Sequence, residues 1–68
     1  MSELRLKKEL FLLDNINLTV EAFCGLCKIE MSEQDDEYIF TFSNSRYDIN
    51  ETIMEFENYL IDLSFKNR

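Results

Sequence analysis

Ile49-Asn50-Glu51-Thr52-Ile53-Met54-Glu55-Phe56-Glu57-Asn58-Tyr59-Leu60-Ile61-Asp62-Leu63-Ser64-Phe65-Lys66-Asn67-Arg68, the last twenty residues, decides the fold, because this run is apolar on two separate sides. At about 100° per residue, Ile49, Ile53, Phe56, Leu60 and Leu63 fall on one stripe. Their spacing of four, three, four and three is that of a helix facing a core. Met54, Ile61 and Phe65 repeat at seven and four and fall roughly 140° away. Asn50, Glu57 and Ser64 lie between the stripes, and Glu51, Glu55, Asn58 and Asp62 fill the solvent side. One helix of a small monomer needs only the first stripe. The second is extra core, the seam of a homodimer or a docking surface for a partner.

Working outward, Asp48 stands where the helix needs a cap, and Glu51 completes a D-x-x-E capping box. Tyr38, Phe40 and Phe42 alternate through Glu37–Ser43, as a strand does, and Ser43-Asn44-Ser45 ends it. Lys28 to Ser32 alternates in the same way, with Ile29 and Met31 on one side. The acidic Glu33-Gln34-Asp35-Asp36 between the two strands is a hairpin loop without glycine. Before the hairpin a short helix is expected from Leu18 to Cys27, capped by Asn17 or Thr19, with Val20, Phe23, Cys24 and Cys27 on one face. The first element is open to two readings. Leu4, Leu6, Leu10 and Leu12 alternate as in a strand, whereas Leu6, Leu10 and Leu13 also fit a helical stripe. A strand is preferred, because Asp14-Asn15-Ile16-Asn17 then turns the chain into the helix. The expected class is α+β: a small, mostly antiparallel three-stranded sheet with two helices, in the order strand-helix-strand-strand-helix, as a single domain over residues 1–68.

A chain of 68 residues has room for one core, and a domain of this size buries only about 60 % of its unfolded surface. The composition is 46 % hydrophobic, with six Phe and three Tyr, which argues against a disordered tail. The formal net charge is −7, and there is no histidine. Arg5, Lys7 and Lys8 crowd the start, and Lys66 and Arg68 the end. Between Glu30 and Asp62 ten acids (Glu30, Glu33, Asp35, Asp36, Glu37, Asp48, Glu51, Glu55, Glu57 and Asp62) face Arg46 alone. Such a surface repels a phosphate backbone, so nucleic acid is not an expected partner. No stretch reaches the roughly 18 apolar residues that span a membrane. Met1-Ser2-Glu3-Leu4 lacks the charged-then-apolar order of a secretory signal, so a cytoplasmic location with reduced cysteines is expected.

Cys24-Gly25-Leu26-Cys27 invites a redox reading. A thioredoxin-type site places its first cysteine at a helix N-terminus, whereas Thr19-Val20-Glu21-Ala22 is already helical in character. Two buried thiols on the inner face of the short helix are expected instead. Two cysteines and no histidine make half of a zinc site. Asp35-Asp36-Glu37 lacks the oxygen spacing and the glycine of a calcium loop. Neither that cluster nor Glu51, Glu55 and Asp62 offers the desolvated carboxyl that acid–base chemistry needs. No catalytic set, metal site or cofactor motif is complete, so a non-enzymatic binding protein is expected.

The run Phe56-Glu57-Asn58-Tyr59-Leu60-Ile61-Asp62-Leu63-Ser64-Phe65-Lys66 resembles the C-terminal signature of HxsD-like proteins, roughly F-x-N-x-L-L-D-x-x-L-R. Phe56, Asn58, Leu60, Ile61 and Asp62 fit it, Phe65 takes the second apolar position, and Lys66 replaces the arginine. Leu18-Thr19-Val20-Glu21-Ala22-Phe23 resembles the family's L-E-A-I helix start more loosely. The resemblance implies a small accessory of a radical-SAM peptide-maturation system of the His-Xaa-Ser type, with no catalytic residues to carry over. PqqD-like peptide-recognition modules are a related idea, although usually longer than this chain.

The expected function is therefore an accessory in ribosomal-peptide maturation, docking on a precursor peptide or its radical-SAM maturase. Its partner-binding residues would be Met54, Asn58, Ile61, Asp62 and Phe65, an apolar patch rimmed by polar groups. The alternative is a small acidic inhibitor of phage type, whose carboxylates imitate phosphates in the basic cleft of a nucleic-acid-binding enzyme.

Overall fold

In the computed structural model, which describes Ser2–Phe65, the alternating aromatics of β3 (Glu37–Ser43) occupy the central strand of one sheet. Lys66, at the basic position of the C-terminal motif, and Arg68 lie outside the described residues. β1 (Ser2–Lys7) pairs with one edge of β3 and β2 (Lys28–Gln34) with the other, both antiparallel, in the order β1-β3-β2. β1 and β2 therefore run parallel with β3 between them. α1 (Leu13–Phe23) is the crossover joining them, and α2 (Ile49–Phe65) follows β3. The fold is α+β with element order β-α-β-β-α.

The register sets the two faces of the sheet. Leu4 lies opposite Phe40 and Leu6 opposite Tyr38, so these side chains share the helix-facing side. Phe40 and Phe42 are fully buried there against Phe56 of α2, with ring centroids 5.5 and 5.2 Å apart. Phe23 of α1 meets the same ring edge-on at 5.5 Å. Three aromatics thus converge on Phe56, and Ile16, Leu6 and Leu60 close the core around them. The other face of the sheet is polar. Ile39 is buried there between its cross-strand neighbours Arg5 and Ser32.

Asp48 caps α2 as its sequence predicts: the Glu51 N–H donates to Asp48 Oδ2 at 3.0 Å. The Thr52 hydroxyl donates to the Asp48 carbonyl at 3.0 Å and lies 3.1 Å from Ser45 Oγ. Thr52 can therefore be buried on the core side of the helix with its hydroxyl satisfied.

Four boundaries differ from the sequence expectation. β1 stops at Lys7 and passes into a 3-10 turn at Lys8–Leu10, so Leu10 and Leu12 are exposed rather than strand residues. α1 starts at Leu13, not Leu18, and ends at Phe23, not Cys27. Neither Asn17 nor Thr19 caps it; the cap position is Leu12, which makes no side-chain capping bond. Asp14 in the first turn complements the helix dipole instead, and the buried Thr19 donates its hydroxyl to the Asn15 carbonyl at 2.8 Å. The hairpin is also tighter than expected. β2 runs on through Glu33 and Gln34, leaving Asp35-Asp36 as the loop, and Asp35 takes φ 54°, a left-handed conformation that Asp tolerates.

Candidate functional site

α2 presents its two stripes to different surroundings. Phe56 and Leu60 are buried and Ile49, Ile53 and Leu63 partly so, which assigns the first stripe to the core. Met54, Ile61 and Phe65 are 60, 44 and 45 % exposed, so the second stripe is not additional core. Asn58 and Asp62 are exposed beside it. All five residues lie on one outward face of one helix. Its C-terminal end is anchored, because the Phe65 ring meets Phe11 at 6.0 Å and Phe11 packs against the core.

Sequence reasoning missed how much further the apolar surface extends. Leu10, Leu12, Leu13, Leu18 and Tyr59 are also exposed. Leu10 and Leu12 alternate with Leu4 and Leu6 as in a strand, and alternation alone does not reveal that the strand ends before them. Tyr59 stacks edge-on against Phe23 at 5.7 Å and keeps its outer side in solvent.

Charge is segregated as strongly as hydrophobicity. α1 and α2 carry Asp14, Glu21, Glu51, Glu55, Glu57 and Asp62 and no basic residue. The bases of the first strand and its following turn are neutralised at the sheet. Arg5 lies 3.4 Å from Glu3 and 3.5 Å from Glu37, and Lys7 lies 3.3 Å from Asp36. Lys8 reaches Glu33 at 2.7 Å, passing over the Tyr38 ring at 5.4 Å. Lys28 stands 3.8 Å from Glu30. The hydrogen bond to Asp36 raises the Lys7 pKa, and that to Glu33 raises the Lys8 pKa. Such exposed pairs contribute little to stability. The strands and their turns thus carry four bases against seven acids, whereas the two helices carry six acids and no base.

The cysteines part company. Cys27 is buried, whereas Cys24 is exposed, which corrects the expectation of two buried thiols. The reason is the early end of α1: Cys24-Gly25-Leu26 forms a turn in which the Leu26 and Cys27 N–H groups both donate to the Phe23 carbonyl, at 2.9 and 3.3 Å. The pair follows the C-terminal end of its helix, opposite to the N-terminal placement of a thioredoxin-type site. Burial pushes the Cys27 thiol pKa up, which disfavours its reactive thiolate. Iodoacetamide at mildly alkaline pH should therefore add one label, at Cys24, and a second only in denaturant, as read by mass spectrometry. Rapid double labelling of the folded chain would contradict the burial of Cys27.

Among the described residues, no three Cys, Asp or Glu side chains are grouped so as to hold a metal ion. No described helix is long and apolar enough to cross a membrane. Comparison with known protein families, curated proteins and solved structures found no match to this chain.

Proposed function

We propose that this chain is a non-catalytic docking protein whose partner binds the Met54–Ile61–Phe65 stripe of α2, with Asn58 and Asp62 as its polar rim. The observation that carries this reading is that the stripe stays exposed after the rest of the same helix has filled the core. An apolar patch with a polar border is the common build of a protein interface. The resemblance of Phe56–Asp62 to HxsD-like proteins supplies a specific form of the proposal: a cytoplasmic accessory in ribosomal-peptide maturation that docks on a radical-SAM maturase or its precursor peptide. A second copy of the chain is the competing occupant.

The second reading, an acidic inhibitor that fills a basic cleft, is favoured by the six acids and absent bases of the two helices. Ionic strength separates the two. A phosphate mimic loses its target between low and moderate salt, while an apolar contact is much less affected.

The direct test is Ile61→Asp, titrated against the purified maturase and its precursor peptide by calorimetry. Binding should be lost while the thermal midpoint moves little, since exposed substitutions usually change stability by within about 0.5 kcal/mol. Retained binding would remove the stripe from the interface.

A further inference from the structure

We propose that the groove between α1 and α2 receives an amphipathic helix with a basic flank, presented by a partner protein. This rests on the docking reading but uses a different flank of α2 from the Met54–Ile61–Phe65 stripe. A hollow of about 280 Å³ lies between the two helices, and a second of about 360 Å³, lined by α1 alone, adjoins it at Leu18 and Glu21. The apolar lining of the hollow between the helices comes from Leu18 and Ala22 on α1 and from Tyr59 and Leu63 on α2. Leu18 is 51 % exposed and Tyr59 42 %, so about half of each side chain is available for contact.

The shape of the occupant follows from the walls. Both are helices whose backbone groups are bonded internally, so an extended peptide finds no strand edge to pair with. A helix satisfies its own backbone, and its apolar ridge, repeating at three and four residues, fits a groove between two helices. α1 and α2 run antiparallel, since Phe23 meets Phe56 and Tyr59 while Leu18 shares the groove with Leu63 further along α2.

The charge of the occupant follows from the rim. Glu21 lines the groove, Asp14 lies in the adjoining hollow along α1, and neither helix carries a base among its described residues to balance them. A basic flank meets these carboxylates across the edge of the contact. A second copy would bring the same acids on its own helices, and like charges across an interface oppose docking.

The probe is a synthetic helical peptide of leucine and lysine, with leucines three and four residues apart, titrated into the full chain by fluorescence anisotropy. Saturable binding is expected, weaker at higher salt, while the glutamate counterpart and a scrambled leucine–lysine peptide bind poorly. Leu18→Gln and Tyr59→Gln should each weaken binding about tenfold, the scale of losing one apolar contact. Both positions are half-exposed, so the variants should stay folded, which circular dichroism checks. Ser32→Ala, on the open sheet face, should change nothing. Equal binding of the scrambled peptide would show charge attraction alone and overturn the groove. So would wild-type affinity in both Leu18→Gln and Tyr59→Gln. Amide shift changes confined to Met54 and Ile61 would overturn the groove while leaving the docking reading intact, because they place the helix on the stripe.

Discussion

Leu60→Asp should abolish the cooperative thermal transition of this domain at neutral pH, measured by near- and far-ultraviolet circular dichroism. Leu60 is 1 % exposed at the centre of the core stripe, and neither helix carries a base to pair with a carboxylate placed there. An unpaired buried charge costs several kcal/mol, against a total stability of about 3–10 kcal/mol for a chain of this length. Burial raises the pKa of the introduced carboxyl above its unfolded value of about 3.9. The folded state then holds the proton more tightly, so the variant is least impaired below about pH 3.9 and loses stability as pH rises through the folded value. Acidification should restore part of the helical signal. Ile61→Asp, one residue along, lies about 100° around the helix and should unfold with nearly the wild-type midpoint. If it melts like Leu60→Asp, the outward stripe is core and the docking proposal loses its physical basis.

Phe56→Ala should be the most damaging truncation. Phe56 is fully buried and touches the rings of Phe23, Phe40 and Phe42, so it joins α1, α2 and β3 at one point. Truncation of a buried Phe costs about 3–5 kcal/mol. At about 4–8 °C per kcal/mol for a domain of this size, the midpoint should drop by about 12 °C or more, measured by differential scanning calorimetry. A drop of only a few degrees would mean that the four rings are not the centre of the core.

The legible parts of the fold were those with a strong period. The alternation at Tyr38, Phe40 and Phe42 located β3, and the four-three spacing from Ile49 to Leu63 located α2 and distinguished its buried side from its exposed side. The start of α1 was hidden because Leu12, in the cap position, has no side-chain acceptor, while the turn-forming Asp14-Asn15 lies inside the first turn. Thr19 and Thr52 were not legible as buried residues. Each hides its hydroxyl by donating to the carbonyl four residues earlier, a bond that residue identity alone does not announce. The outward stripe is separable from the core stripe by its spacing, although spacing alone left extra core, a homodimer seam and a docking surface open. The groove was not legible, because Leu18 and Tyr59 belong to different helices and meet only once the chain has folded.

The strand order has a consequence for how the chain assembles. β2 and β3 are joined by two residues, so their ladder can zip as soon as the Asp35-Asp36 turn closes. β1 joins later, because the strand it pairs with is β3, far along the sequence. Closing that long loop costs entropy before any contact repays it. The nucleus should therefore be the hairpin with α2 laid across it, and β1 the last strand to join. In reverse, β1 should be the first strand to peel away. Its amides would exchange with solvent ahead of those of β3, marking a partly open form in which Leu4 and Leu6 are bared while the aromatic cluster around Phe56 still holds.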